Sequence, residues 1–122
     1  MRIYISGAMT SDPDYEEKFS AAERWVRRKY PEAEVVNPVR LSRELEWNRG
    51  TKPDSLPRHE YLKKDISELM ECDRLVAIPG FEKSAGAMLE INIALSLFLV
   101  VGQIQDEDFN SVLDECRKER EK

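Results

Sequence analysis

Segments that read as strands and segments that read as helices alternate along this chain, and that order constrains its fold more than any other feature. Ile3, Tyr4 and Ile5 make Arg2–Ser6 a buried strand, and Gly7-Ala8-Met9-Thr10 reads as the turn after it. Asp12 followed by Pro13 is a helix-start pair. Tyr15, Phe19, Ala22 and Val26 then recur at helical spacing, and Pro31 stops that helix. Glu34–Asn37 is a second short strand, closed by Pro38. Arg58–Glu71 is helical, with Leu62, Ile66, Leu69 and Met70 as its core stripe. Leu75–Ile78 is a third strand, Ser84–Leu97 an apolar helix and Phe98–Val101 a fourth strand. Asp106–Glu119 is a polar helix whose inner face is Phe109, Val112, Leu113 and Cys116.

Between the second strand and the next helix, Val39–Pro57 holds Gly50, Pro53, Pro57 and many charges, with Trp47 as its one large anchor. It reads as a long loop with one helical turn. A loop of that length in a compact domain is either a functional lid or a floppy insertion.

Alternation of this kind predicts one α/β domain over residues 1–122. Its architecture is a flavodoxin-like (Rossmann-like) three-layer sandwich around a four- or five-stranded parallel sheet. Ligands of such sheets bind at the carboxyl ends of the strands. Ser6–Thr10, the chain from Asn37 onward, and Pro79–Ser84 leave strands at that edge.

Composition removes several function classes. A formal net charge of −5 argues against a surface for nucleic-acid polymers. The basic cluster Arg24, Arg27, Arg28 and Lys29 reads as a solvated helix face. No apolar run is long enough to cross a membrane, and a strand at the very start leaves no signal peptide. Cys72 and Cys116 lack metal or redox spacing and read as reduced thiols of a cytoplasmic protein. His59, the single histidine, excludes the multi-histidine metal sites, and no metal or organic cofactor is expected.

The candidate site centres on Ser84-Ala85-Gly86-Ala87-Met88-Leu89-Glu90. Glu90 is the one charged residue of the apolar helix, and a carboxylate among apolar neighbours is costly unless something pairs with it or uses it. It reads as a nucleophile or general base, or else as a buried salt-bridge partner or an edge residue of the helix. Gly86 and Ala87, one turn earlier, leave a hollow where a ligand would approach. Asp65 borders the stripe of its helix. It is a second catalytic carboxylate, or a solvated one at the stripe's edge, or one bonded to the Tyr61 hydroxyl one turn before. Ser84 and Gly86 open the helix, where free N–H groups bind phosphate, although Ser84 also fits a plain N-cap. Tyr4 could orient a carboxylate or simply pack in the core. Neither a dinucleotide fingerprint nor a phosphate-binding loop is present.

Taken in order, Ile3-Tyr4-Ile5-Ser6-Gly7-Ala8-Met9, Val35-Val36-Asn37-Pro38, Lys64-Asp65-Ile66, Cys72-Asp73 and Ser84 to Glu90 resemble the nucleoside 2-deoxyribosyltransferase superfamily. The resemblance spans Arg2 to Val101. Within that superfamily the chain is similar to small phage and bacterial members and to the 2'-deoxynucleoside 5'-phosphate N-hydrolases. It implies Glu90 as nucleophile, Asp65 as acid/base, Tyr4 as a contact of the nucleophile and Ser84 as a phosphate ligand. Ser6, Gly7, Asn37 and Gly86 are the further residues expected at the substrate. The implied activity is cleavage of the base–deoxyribose bond of a 2'-deoxynucleoside 5'-monophosphate. A deoxyribosyltransferase or a non-catalytic nucleotide binder on the same site are the alternatives. The implied partners are a small deoxynucleotide and a second copy of the chain, a homodimer or larger assembly. Two departures stand out: the first loop has no glycine after Gly7, and Val39–Pro57 does not match the hydrolases.

Overall fold

The computed structural model describes residues 1–121. Strand β1 (Arg2–Ser6) leads to helix α1 (Tyr15–Lys29), then β2 (Glu34–Val36), α2 (Pro38–Arg49), α3 (Arg58–Leu69) and β3 (Arg74–Ala77). A single 3-10 turn, Phe81–Lys83, precedes α4 (Ala85–Ser96), β4 (Val100–Gln103) and α5 (Asp106–Arg120). The sheet has four strands in the order β2-β1-β3-β4, and every neighbouring pair is parallel. The expected flavodoxin-like α/β domain is therefore present, with four strands and no fifth among the described residues.

Period-two alternation divides the sheet between two cores. Ile3, Ile5, Val76 and Ile78 face α1 and α5, where they meet Phe19, Val26, Phe109 and Leu113. Tyr4, Val36, Leu75 and Ala77 face the opposite layer and meet Leu41, Leu69, Ile91 and Ala94 of α2, α3 and α4. One consequence matters for the site. Tyr4 and Ser6, two residues apart on β1, share the α4 face.

Several expectations change. The stretch Val39–Pro57 is not one long loop: α2 occupies it as far as Arg49, and the connection is Gly50–Pro57. Asn37 starts α2, its Oδ1 accepting from Val39 N–H at 3.0 Å, and Gly50 ends it with φ 65°. The helix was hidden because two of its buried residues, Ser42 and Glu46, are polar and interrupt the apolar period. Trp47 is no anchor; it is 85% exposed, on the outer side of α2. Met70 ends α3 and is exposed, so it leaves the stripe. In its place Asp65 is buried one turn before Leu69. The helical turns of α1 begin at Tyr15, yet Asp12 Oδ1 still accepts from Asp14 N–H at 2.9 Å. The last strand starts at Val100, two residues late, because Leu97 and Phe98 form the turn out of α4.

Candidate active site

A cavity of about 550 Å³ opens at the carboxyl ends of β1 and β3. There the chain order reverses direction across the sheet, the place where open α/β sheets bind ligands. Its walls are the turn after β1 (Gly7 to Pro13), Asp54 and Leu56 before α3, the face of α3 carrying Arg58, Tyr61, Leu62 and Asp65, and the start of α4. Gly7 permits the narrow join of β1 and β3, since a Cβ there would stand 2.9 Å from Ile78 Cδ1.

Glu90 lies at the cavity floor and is buried. The Tyr4 hydroxyl donates to its Oε2 at 2.5 Å, and the Ser6 hydroxyl donates to its Oε1 at 2.8 Å. Strand alternation sends both hydroxyls to the face that α4 covers, so the pair is fixed by β1 geometry. Burial pushes Glu90 up to about 7, and the two hydrogen bonds oppose the shift by favouring the ionised form. Burial, and then the charge of Glu90, hold the Tyr4 phenol well above its ordinary range. Tyr4 therefore stays a donor.

Asp65 projects from α3 into the same cavity and is only 7% exposed. Its Oδ1 is buried without a hydrogen-bond partner. Tyr61 does not serve it, because the Tyr61 hydroxyl donates to Glu46 Oε2 at 2.6 Å. Burial first, and Glu90 second, push Asp65 up to about 8. The two carboxyl groups thus divide their roles: hydrogen-bonded Glu90 is the better place for a charge, and unpartnered Asp65 the better place for a proton.

Ser84 caps α4 by accepting from Ala87 N–H at 3.2 Å, and it also lines the cavity with Gly86. The N-cap is therefore present, and Ser84 also stands on the cavity wall. Ser6, expected at the substrate, is fully buried and absent from the cavity wall, because strand alternation turns its hydroxyl onto Glu90. Asn37, expected at the substrate, is elsewhere. It caps α2, donates to Glu23 Oε1 at 3.0 Å, and is absent from the cavity wall. The residue that follows a parallel strand is here spent on starting a helix.

Arg58, Tyr61 and Tyr15 line the cavity and were not anticipated. A signal for Arg58 existed. It stands seven residues before Asp65, two turns away on the same helical face. Among the described residues there is no group of three or more histidine, cysteine, aspartate or glutamate side chains placed to hold a metal ion. No helix is long and apolar enough to cross a membrane.

None of the curated proteins compared with the chain matches it. A family model described as Domain of unknown function (DUF4406) matches residues 1–103, a stretch that contains every cavity residue named above and stops before α5. The chain belongs to that family.

Proposed function

We propose that this member of the DUF4406 family is an N-glycosidase cleaving the base–deoxyribose bond of a 2'-deoxynucleoside 5'-monophosphate. One observation carries the reading: a buried glutamate held by two hydroxyls shares its cavity with a buried, unpartnered aspartate. Each oxygen of an ionised Glu90 accepts one hydrogen bond and keeps a free lone pair for attack. Glu90 attacks the anomeric carbon and forms a glycosyl ester as the carbon–nitrogen bond to the base breaks. Protonated Asp65 gives its proton to the departing base. As a carboxylate it then takes a proton from water, which cleaves the ester and restores Glu90. The start of α4 supports the 5'-phosphate. Gly86 and Glu90 are one helical turn apart, about 6 Å along the axis, which matches the reach of a sugar 5-phosphate from phosphate to anomeric carbon.

A second copy of the chain is part of the same proposal. The outer side of α4 and the chain after it expose Leu89, Leu95, Leu97, Phe98 and Val100. Phe98 is 94% exposed with a left-handed φ of 60°. A helix that starts in the cavity and presents apolar residues outward is suited to a two-fold contact beside the site.

The test is a panel of natural and base-modified deoxynucleoside monophosphates, with base release followed by chromatography. Wild type should release free base from at least one of them, and Glu90→Gln should release none. Nucleotide retained without any release would replace the glycosidase with a binding protein.

A further inference from the structure

Arg58 is the cation of the cavity that has no partner. Among the described residues it makes no ion pair and no side-chain hydrogen bond. The other arginines pair with carboxylates, apart from Arg74, which lies over the Tyr30 ring. An unpaired guanidinium is unexpected here, because the cavity also holds the carboxyl groups of Asp65 and Glu90. Its position is the reason. Arg58 opens α3 and reaches across to the start of α4. A Cβ on Gly86 would stand 3.3 Å from Arg58 Nη2 and 3.9 Å from Ser84 Oγ. A guanidinium and a hydroxyl therefore converge over the one residue of that turn that has no side chain.

We propose that Arg58 is the specificity-determining residue of this cavity, clamping a sugar-borne phosphomonoester against Ser84 and the first N–H groups of α4. The inference rests on the glycosidase reading above and names the residue that makes it phosphate-selective. Two independent features support a ligand at this place. The N–H groups of Ala85 and Gly86 open a twelve-residue helix and have no earlier turn to bond. On the same cavity wall, the buried Oδ1 of Asp65 lacks a partner that a bound ligand would supply.

Charge decides why an arginine is needed. A helix start alone offers about half a positive charge, and the carboxyl groups of the cavity oppose an anion. Asp12 is paired with Lys18, whereas Asp54 has only a share of Arg43, which also pairs with Glu16 and Glu46. Glu90 and Asp65 hold their protons more tightly than ordinary carboxyls, so near neutrality the pair carries less than its full charge. Arg58 tips the remaining balance toward a dianion and offers the planar fork that phosphate oxygens accept.

Calorimetry with 2-deoxyribose 5-phosphate, 2-deoxyribose and inorganic phosphate tests this without any turnover. Arg58 is exposed, so Arg58→Gln should fold as wild type does. The expected result is an affinity for the sugar phosphate lowered about ten- to a hundredfold in Arg58→Gln, with any binding of unphosphorylated sugar unchanged. Arg58→Lys should recover part of the loss, since it keeps the charge and gives up the fork. Equal affinity of wild type and Arg58→Gln for the sugar phosphate overturns the inference, whatever the base-release panel shows. So does a wild type that binds inorganic phosphate as tightly as the sugar phosphate, or that binds neither. Base release remains the separate readout of the reading beneath it.

Discussion

Asp65 and Glu90 are carboxyl groups placed where a carboxylate is least welcome, and the stability of the protein should record it. Asp65 moves from an ordinary value of 3.8 to about 8 in the folded chain. Between those limits the folded state keeps a proton that the unfolded state has released. Unfolding therefore becomes easier as pH rises through this window, and the effect is absent below it. Asp65→Asn removes the group. Its melting temperature should exceed that of wild type by more at about pH 8 than at about pH 5. Equal differences at the two pH values would show that Asp65 ionises normally. The same variant should lose base release by about a hundred- to ten-thousandfold, the usual worth of a general acid. Greater stability with less activity separates a functional carboxyl from a structural one.

At the scale of elements, the informative helix is α2, which lines no part of the cavity itself and fixes part of its wall. Glu46 is 2% exposed. Its Oε1 accepts from Arg43 Nη1 at 2.8 Å, and its Oε2 accepts from the Tyr61 hydroxyl and from Asp54 N–H, each at 2.6 Å. Tyr61 in turn accepts from Leu56 N–H at 3.1 Å. Asp54, Leu56 and Tyr61 all line the cavity, so one buried carboxylate ties the connection before α3 to the body of the fold. Asp54 tolerates its left-handed φ of 58° because aspartate enters that region more readily than most residues. Glu46→Ala would leave a backbone N–H and two side-chain donors without their acceptor. A loss of about 1–3 kcal/mol in urea denaturation is expected, and unchanged stability would refute the role given to Glu46.

For the whole molecule, the question is what covers the apolar surface that one copy leaves open. Packing on one sheet face accounts for Ala87, Ile91 and Ala94 of α4, which are buried. It does not account for Leu95, Leu97, Phe98 and Val100, all more than 40% exposed. By contrast α5, beyond the family match, is fully used: Phe109, Val112 and Leu113 enter the core beside α1. Its ion pairs to α1, such as Arg24 with Glu119, lie on the surface and add little to that burial. Light scattering at about ten micromolar, where a contact of micromolar affinity forms, should give at least twice the 14.2 kDa chain mass. Phe98→Asp should return the mass to that of one chain. A wild type of single-chain mass would refute the second copy.

Much of this was written locally. Period-two strands and period-3.6 helices fix the α/β order, and a parallel sheet fixes the edge at which a site can form. Glu90 could be read as exceptional because it is the one charge in an apolar helix, and Ser84 as a cap because its neighbours open that helix. Helix α2 was illegible because its buried face is partly polar: Ser42 and Glu46 are satisfied by partners, and periodicity counts apolar residues only. The misplacement of Asn37 has a similar origin, since a cap and a ligand use the same side-chain oxygen. Pairing is what the tertiary structure decided. Tyr4 and Ser6 reach Glu90 across more than eighty positions of sequence, and Arg58 meets Gly86 only because α3 and α4 pack on one face of the sheet. Residue type and spacing state which groups can do chemistry; burial and approach, which shift their protons and join their partners, exist only once the chain has folded.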